Sequence, residues 1–190
     1  MVMSKQQRAP GGLELVRAFV NTIDLELGDE QLADPSALRL WLIERGLAED
    51  GVQAHGGDLR RAIRLREALR AILLAHNLGV DPPAEAGTTL NQTAARARLR
   101  LTFDEHGRAS LEPDATGVDA ALGRLLAIVD GAISEGTWER LKACREHSCE
   151  WAFYDHTKNR SGAWCTMAVC GNRSKARAYR ERRASSATVA

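Results

Sequence analysis

The sequence predicts a mainly α chain with a small β-hairpin, an α+β arrangement in which a helical N-terminal domain precedes a small cysteine-rich C-terminal domain. Three observations lead there. Apolar residues recur at helical spacing through most of residues 13–136. The period changes to alternation over one short stretch near residue 100. Charge and cysteine content then switch near residue 137. Residues 1–139 hold 15 Lys and Arg against 21 Asp and Glu, a net of −6, whereas residues 140–183 hold 11 basic residues against four acids, a net of +7. All four cysteines fall in the basic segment. A chain of 190 residues that is 44% hydrophobic can bury a core for one or two domains. The switch divides it into a helical domain (13–136), a small domain (137–183) and a tail (184–190) expected to be disordered.

The first helix is expected in "LELVRAFVNTIDLEL" (13–27), where Leu13, Val16, Val20, Ile23 and Leu27 share a face. "DPSALRLWLIERG" follows, with Asp34 as N-cap, Pro35 in the first turn and Gly46 past the end. A third helix runs through 58–79, capped by Asp58, with Leu59, Ile63, Leu69, Ile72 and Leu73 inward. "DPPAEAG" (81–87) is a connector and "TLNQTAARA" a short helix. "RLRLTF" and "RASLEP" alternate across "DEHG" as a β-hairpin. Residues 114–136 return to helix, burying Val118, Leu122, Leu125, Ile128, Val129 and Ile133. No window is long and apolar enough for a membrane span, and "MVMSKQQRAPGG" lacks the apolar core of a secretory signal, so the expected compartment is the cytoplasm.

The cysteines stand as Cys144-x4-Cys149-x15-Cys165-x4-Cys170. Two short-range pairs separated by 15 residues have the layout of a two-knuckle structural zinc site, although x4 is wider than the commoner x2. Four thiolates fill a tetrahedral shell and leave no place for water or substrate, so the expected cofactor is one structural Zn2+ on Cys144, Cys149, Cys165 and Cys170. Buried unligated thiols, a redox pair and an iron–sulfur cluster are the alternatives. His147 and His156 lie nearby and are expected at the surface or beside the ligands. Gly171 is expected to let backbone amides approach the sulfurs. The residues between the pairs predict a hairpin whose arms, "WAFY" and "AWC", flank a turn at "KNRSG".

After Cys170, "GNRSKARAYRERR" predicts a helix started by Asn172. Arg173, Arg177 and Arg180 form one stripe, and Lys175, Tyr179 and Arg182 another. Between 173 and 183 six basic residues face a single acid, Glu181. Like charges at this spacing destabilise a helix, so a polyanion is the expected compensation. Candidate nucleic-acid contacts are Arg173, Lys175, Arg177, Arg180, Arg182 and Arg183, with Lys158 and Arg160 on the turn reaching the adjacent backbone; most would meet phosphate. The small domain is thus a zinc-binding unit with a β-hairpin and a basic helix.

"CEWAFYDHTKNRSGAWCTMAVCGNRSKARAYRERR" resembles the CGNR zinc-finger family, named for the tetrapeptide Cys170-Gly171-Asn172-Arg173. With "RLKACREHSC" the resemblance covers about 45 residues, including Phe153, Asp155, Lys158-Asn159-Arg160, Trp164, Met167 and Lys175. In that family the finger usually follows a helical domain called ABATE, associated with stress-induced transcription regulation. Here "FVNTID" (19–24) is similar to that domain's opening signature and "LRLWLIERGL" (38–47) to its second helix. The resemblance implies ABATE followed by a CGNR finger, zinc on the four cysteines and DNA binding by the finger. Ala18 stands where the family commonly carries an acid before the Phe. Asn21, Thr22 and Trp41 are candidate pocket residues for a small-molecule signal. The competing assignment for Asn21 and Thr22 is a polar pair bonded to a neighbouring turn, and for Trp41 a core side chain. Trp164 and Tyr154 are expected to pack the hairpin against the knuckle.

The leading function is a bacterial-type transcription regulator whose N-terminal domain senses a signal or forms a homodimer while the C-terminal helix binds DNA near the nucleoid. The alternative is an RNA- or protein-binding adaptor in which zinc only holds the fold, with Trp164 stacking on single-stranded RNA. No Walker loop, dinucleotide fingerprint, nucleophile elbow or His-Glu-x-x-His is present in the sequence, so no catalytic residue is assigned and no enzyme is expected.

Overall fold

The structure is a computed structural model that describes residues 8–187, with side chains through Arg182. It is mainly helical with three small antiparallel strand pairs. Helix α1 (Leu13–Val20) ends seven residues before the expected limit at 27. The chain then turns through β1 (Ile23–Asp24) and β2 (Asp29–Glu30). Local chemistry explains the early stop. Asp24 Oδ1 accepts from the amides of Glu26 and Leu27, and Gly28 takes a left-handed φ of 70°. That side-chain turn competes with helix for the same backbone donors. Leu27, expected inward, is 79% exposed.

Helix α2 (Pro35–Glu44) has its expected punctuation: Asp34 accepts from the Ala37 amide at 2.9 Å, and Gly46 is left-handed past the end. In α3 (Gly56–Leu78) the cap is His55, three residues before the expected cap Asp58. Asp58 acts from inside the first turn, accepting from the His55 amide at 2.7 Å. Helix α4 (Ala84–Ala97) begins directly after the two prolines and is longer than expected. Strands β3 (Leu99–Phe103) and β4 (Ala109–Pro113) pair in register from Leu99↔Pro113 to Phe103↔Ala109, as the alternation predicts. Helix α5 (Gly117–Ser134) crosses close to α4 at Gly123, where a Cβ would lie 2.5 Å from that of Ala97. Ile133, expected inward, is exposed, because Val129 and Ala132 carry the buried face through the last turns of α5. Phe19, Leu38, Leu42, Leu65, Leu69, Leu73, Leu122 and Leu125 form the centre of the core.

A 3-10 turn (Trp138–Arg140) leads into β5 (Leu141–Ala143), which pairs with β6 (Ala152–Tyr154) in the register Leu141↔Tyr154. "WAFY" therefore pairs backwards with "LKA", and the hairpin expected between "WAFY" and "AWC" does not form. The reason is apolar: Leu141, Ala143, Ala152 and Tyr154 all join the main core, and β5 packs along α3. The composition switch near 137 is therefore a boundary in charge, with continuous packing across it. A π-turn (Met167–Gly171) runs into α6 (Asn172–Ala187). The helix takes in residues 184–187, where a disordered tail was expected; residues 188–190 lie outside the described residues. No helix among the described residues is long and apolar enough to cross a membrane.

Buried polar side chains fasten the two halves together. Asn21 uses both ends of its amide on one residue, donating to Ala152 O at 2.9 Å and accepting from Ala152 N at 2.7 Å. Asn77 donates to Ala143 O at 2.6 Å and Ala163 O at 3.0 Å, and Arg145 returns to the Asn77 side chain and carbonyl. Arg70 joins Val20 O, at the end of α1, to Glu150 O. Burial holds the His76 imidazole below its usual pKa, so it is neutral at pH 7, and Nδ1 of the matching tautomer donates to Leu141 O at 3.0 Å. Replacing Asn21 by Ala strands a buried donor and acceptor on Ala152 and is expected to cost about 1–3 kcal/mol, measured by urea unfolding of the zinc-loaded chain. Unchanged stability would refute that role.

Candidate metal centre and basic helix

The four cysteines come from two turns. Cys144 follows β5 directly, and Cys149 closes a turn in which its amide donates to Glu146 O at 2.8 Å. Cys165 precedes the π-turn and Cys170 lies within it. Their sulfurs all lie within 4.8 Å of one another, with Cys149 Sγ to Cys165 Sγ 3.6 Å and Cys165 Sγ to Cys170 Sγ 3.7 Å. A tetrahedral Zn–S bond of about 2.3 Å gives sulfur–sulfur edges of about 3.8 Å, so the spacing fits one zinc ion. Cys144, Cys165 and Cys170 are buried and Cys149 is half-buried. Phe153, Trp151 and Trp164 surround them as a second small core.

Electrostatics lead to the same conclusion. Without a metal the four thiols compete for one charge: hydrogen bonds from Cys149 and Cys165 lower Cys144, and the other three are raised. Hydrogen bonding with Cys144 raises Cys149, hydrogen bonds with Cys144 and Cys149 raise Cys165, and burial with the charge of Cys144 raises Cys170. A divalent cation removes the conflict, because it stabilises all four as thiolates. With no open coordination position, the ion's chemistry is structural: it ties two turns together.

Two glycines set the packing around this centre. A Cβ on Gly171 would lie 2.7 Å from Met167 Sδ and 3.3 Å from Trp164 Cδ1. A side chain at Gly171 would have to displace the flexible end of the exposed Met167 and crowd Trp164, and the Gly171 amide donates to Thr166 O at 3.1 Å. A Cβ on Gly162 would strike the Asp155 carboxylate at 2.8 Å. Asp155 is itself a buried hub. Its Oδ1 accepts from the Thr157 amide and hydroxyl, and its Oδ2 accepts from Gly162 N and from Lys142 Nζ, both at 2.8 Å. Lys142 Nζ also donates to Arg160 O and Gly162 O. Sequence reasoning passed over Lys142. An isolated cation between apolar strand residues was its signal.

His147 and His156 are exposed, and His156 Nε2 lies 2.9 Å from Arg8 O. Trp164 packs beside the sulfurs as expected, whereas Tyr154 belongs to the main core and stacks edge-on with His156. The candidate pocket of Asn21, Thr22 and Trp41 is not assembled. Trp41 is a core side chain against Phe19, with ring centroids 5.5 Å apart. Thr22 is fully buried, bonding to Phe19 O and to Arg66. Asn21 is committed to Ala152, although it also borders a recess beside the knuckle. The "FVNTID" segment therefore serves as a fastening strip.

Helix α6 leaves the knuckle with none of its described side chains buried. Asn172 is its first residue but does not cap it. The residue lies within a continuous π-to-α helix, and its Nδ2 donates back to Ala168 O. Arg173 pairs with Glu26 of the β1–β2 hairpin at 2.6 Å, and Arg177 with the buried Glu146 at 2.5 Å. Arg180 Nε bonds to Ala176 O of its own helix. Lys175 and Arg182 are exposed, and the Arg183 side chain lies outside the described residues. On the loop, Lys158 is exposed and Arg160, with a left-handed φ of 52°, pairs with Glu139 at 2.8 Å.

Two outcomes test this centre. The purified chain should carry one zinc ion by elemental analysis, and removal by a chelator should expose four reactive thiols and erase the near-ultraviolet signal of Trp151 and Trp164. Separately, burial raises the Asp155 carboxyl, but bonds from Lys142, Thr157 and Gly162 outweigh it and bring the pKa down to about 2. Its contribution is therefore complete above an unfolded value of 3.8 and is lost as pH falls through about 2. Thiolate protonation releases zinc earlier, so the test belongs at neutral pH. There Asp155→Ala, which leaves Lys142 buried and unpaired, should cost about 3–5 kcal/mol in urea unfolding. The double change Asp155→Leu with Lys142→Met should recover much of that loss.

The family model of the CGNR zinc finger matches residues 140–183. That of ABATE, described as "Putative stress-induced transcription regulator", matches residues 13–135, more than half of the chain. No curated protein matches the sequence. Four clustered sulfurs followed by Gly171-Asn172-Arg173 and the helical body on which they sit agree with both matches, and the chain belongs to the ABATE family with a CGNR zinc finger on its C-terminal side.

Proposed function

We propose that the chain is a cytoplasmic transcription regulator that binds DNA through α6, with zinc fixing that helix at its root. The observation that carries this reading is a cationic helix of 16 residues whose described side chains bury no face. A helix that is polar all round draws little stability from its own fold, and its like charges oppose one another. A polyanion supplies what is missing. Arg173 already holds an exposed carboxylate, Glu26, and a phosphate oxygen can take that partner's place.

Lys175, Arg180, Arg182 and Arg183 extend the row, and Lys158 and Arg160 stand on the neighbouring loop. These residues position the module on the backbone and account for affinity more than for sequence preference. The chain is proposed to act by binding alone, because a shell of four thiolates leaves zinc no site for an activated water. The RNA-adaptor alternative has less support, since Trp164 packs between Gly171 and the sulfurs.

The test is binding of the zinc-loaded chain to duplex and single-stranded oligonucleotides across a salt series. Duplex affinity should fall with salt at a log–log slope of about −0.9 per phosphate contact, and Lys175→Ala with Arg180→Ala should weaken it and flatten the slope by about two contacts. Affinity unchanged in the double variant, or a preference for single strands, would overturn the assignment.

A further inference from the structure

A recess of about 280 Å3 lies between the β1–β2 hairpin and the zinc knuckle. Asp24, Leu27 and Asp29 form one wall; Trp151, Thr166 and Val169 form the other, with Glu26 at the rim and three of the ligand cysteines behind. It sits at the small end of the range for ligand pockets, roughly 300 Å3 upward. Two features set it apart from an ordinary crevice. Trp151 Nε1 and Thr166 Oγ1, both on lining residues, are buried with no hydrogen-bond partner. Such atoms are rare in folded proteins and call for a reason. The charge is also strongly one-sided. Three carboxylates, of Asp24, Glu26 and Asp29, line the recess beside a centre that carries a formal −2 once four thiolates hold zinc; no Lys or Arg is among the lining residues, and Arg173 is paired with Glu26. Asp29 has no ion pair among the described residues.

We propose that this recess binds a small organic cation, an amine with an apolar body. The negative field selects the cation. The lining of Leu27, Trp151 and Val169 favours an organic one over a hydrated metal ion, and an ammonium group gains further from the indole face. The ammonium sits between Asp29 and Glu26, and the body lies against Trp151. An acceptor on the ligand would give Trp151 Nε1–H the partner it lacks after a small tilt of the ring. Because Glu26 is shared, an occupying ammonium competes with Arg173 for it. Occupancy then loosens the first arginine of α6, a consequence that rests on the nucleic-acid reading above, whereas binding itself does not.

The test uses the zinc-loaded full chain, with phenethylamine as the cationic probe and 2-phenylethanol as its neutral counterpart. Calorimetry should show saturable one-to-one binding of the amine and none of the alcohol, and the Trp151 indole N–H resonance should move on titration. Asp29→Asn, at an exposed position, should keep its zinc yet bind the amine about ten-fold more weakly, the loss of one charge-assisted contact. No saturable binding at millimolar amine, equal binding of the alcohol, or an unchanged affinity in Asp29→Asn would each overturn the proposal. No nucleic acid is present in these measurements, so failure of DNA binding and failure of this site are read separately.

Discussion

Four sulfur atoms within 4.8 Å of one another cannot all be thiolates without a cation between them, and the C-terminal third of the chain is arranged around that constraint. Cys144 and Cys149 belong to the strand pair that continues the helical core, while Cys165 and Cys170 belong to the turn that launches α6. One ion therefore links the body of the protein to the root of an otherwise unsupported helix. Phe153, Trp151 and Trp164 form only a small apolar cluster, so metal binding adds at the knuckle what burial there does not supply.

What the ion fixes locally, buried polar side chains fix globally. Asn21 and Asn77 treat backbone groups of the finger as a strand partner would, each satisfying two of them. Arg66 and Arg70, neighbours on α3, reach the end of α1, the β1–β2 hairpin and the knuckle. Guanidinium groups suit this task because several planar donors can meet carbonyls arriving from different elements. The finger is thus held at a set orientation on the helical body, and anything that alters the β1–β2 hairpin is felt at the start of α6 through Glu26 and Arg173.

Much of this was legible in the sequence where one local cause dominates. Asp34, Pro35 and Gly46 punctuate α2 by backbone chemistry, and the alternation over 99–113 allows little but a hairpin. The four cysteines declare their centre through spacing. The errors fall where a distant partner decides. β6 pairs with β5, and not with the segment around Trp164, because Leu141 and Tyr154 have the helical core to fill, and nothing local to "WAFY" reveals that. Asn21 and Thr22 have the polarity of pocket residues, yet their partners lie at Ala152 and Arg66, 131 and 44 residues away in the chain. Gly171 was expected to let amides approach the sulfurs; in the structure its small size also leaves room for Met167 and Trp164.

The pairing of Arg173 and Arg177 also bears on how selective α6 can be. A helix carrying only unpaired cations would hold any polyanion. Here two arginines keep carboxylate partners, one of them the buried Glu146, so a ligand must replace those contacts with better ones. An exposed pair of this kind contributes little in water, so Arg173 changes partner easily, whereas the departure of Arg177 would leave the buried Glu146 without its cation. The two positions therefore differ: Arg173 is the exchangeable contact, and Arg177 stays with the knuckle. If α6 holds a polyanion as proposed, an ordered exchange of this sort would let a small change at Glu26 alter its grip while the root stays fixed by zinc.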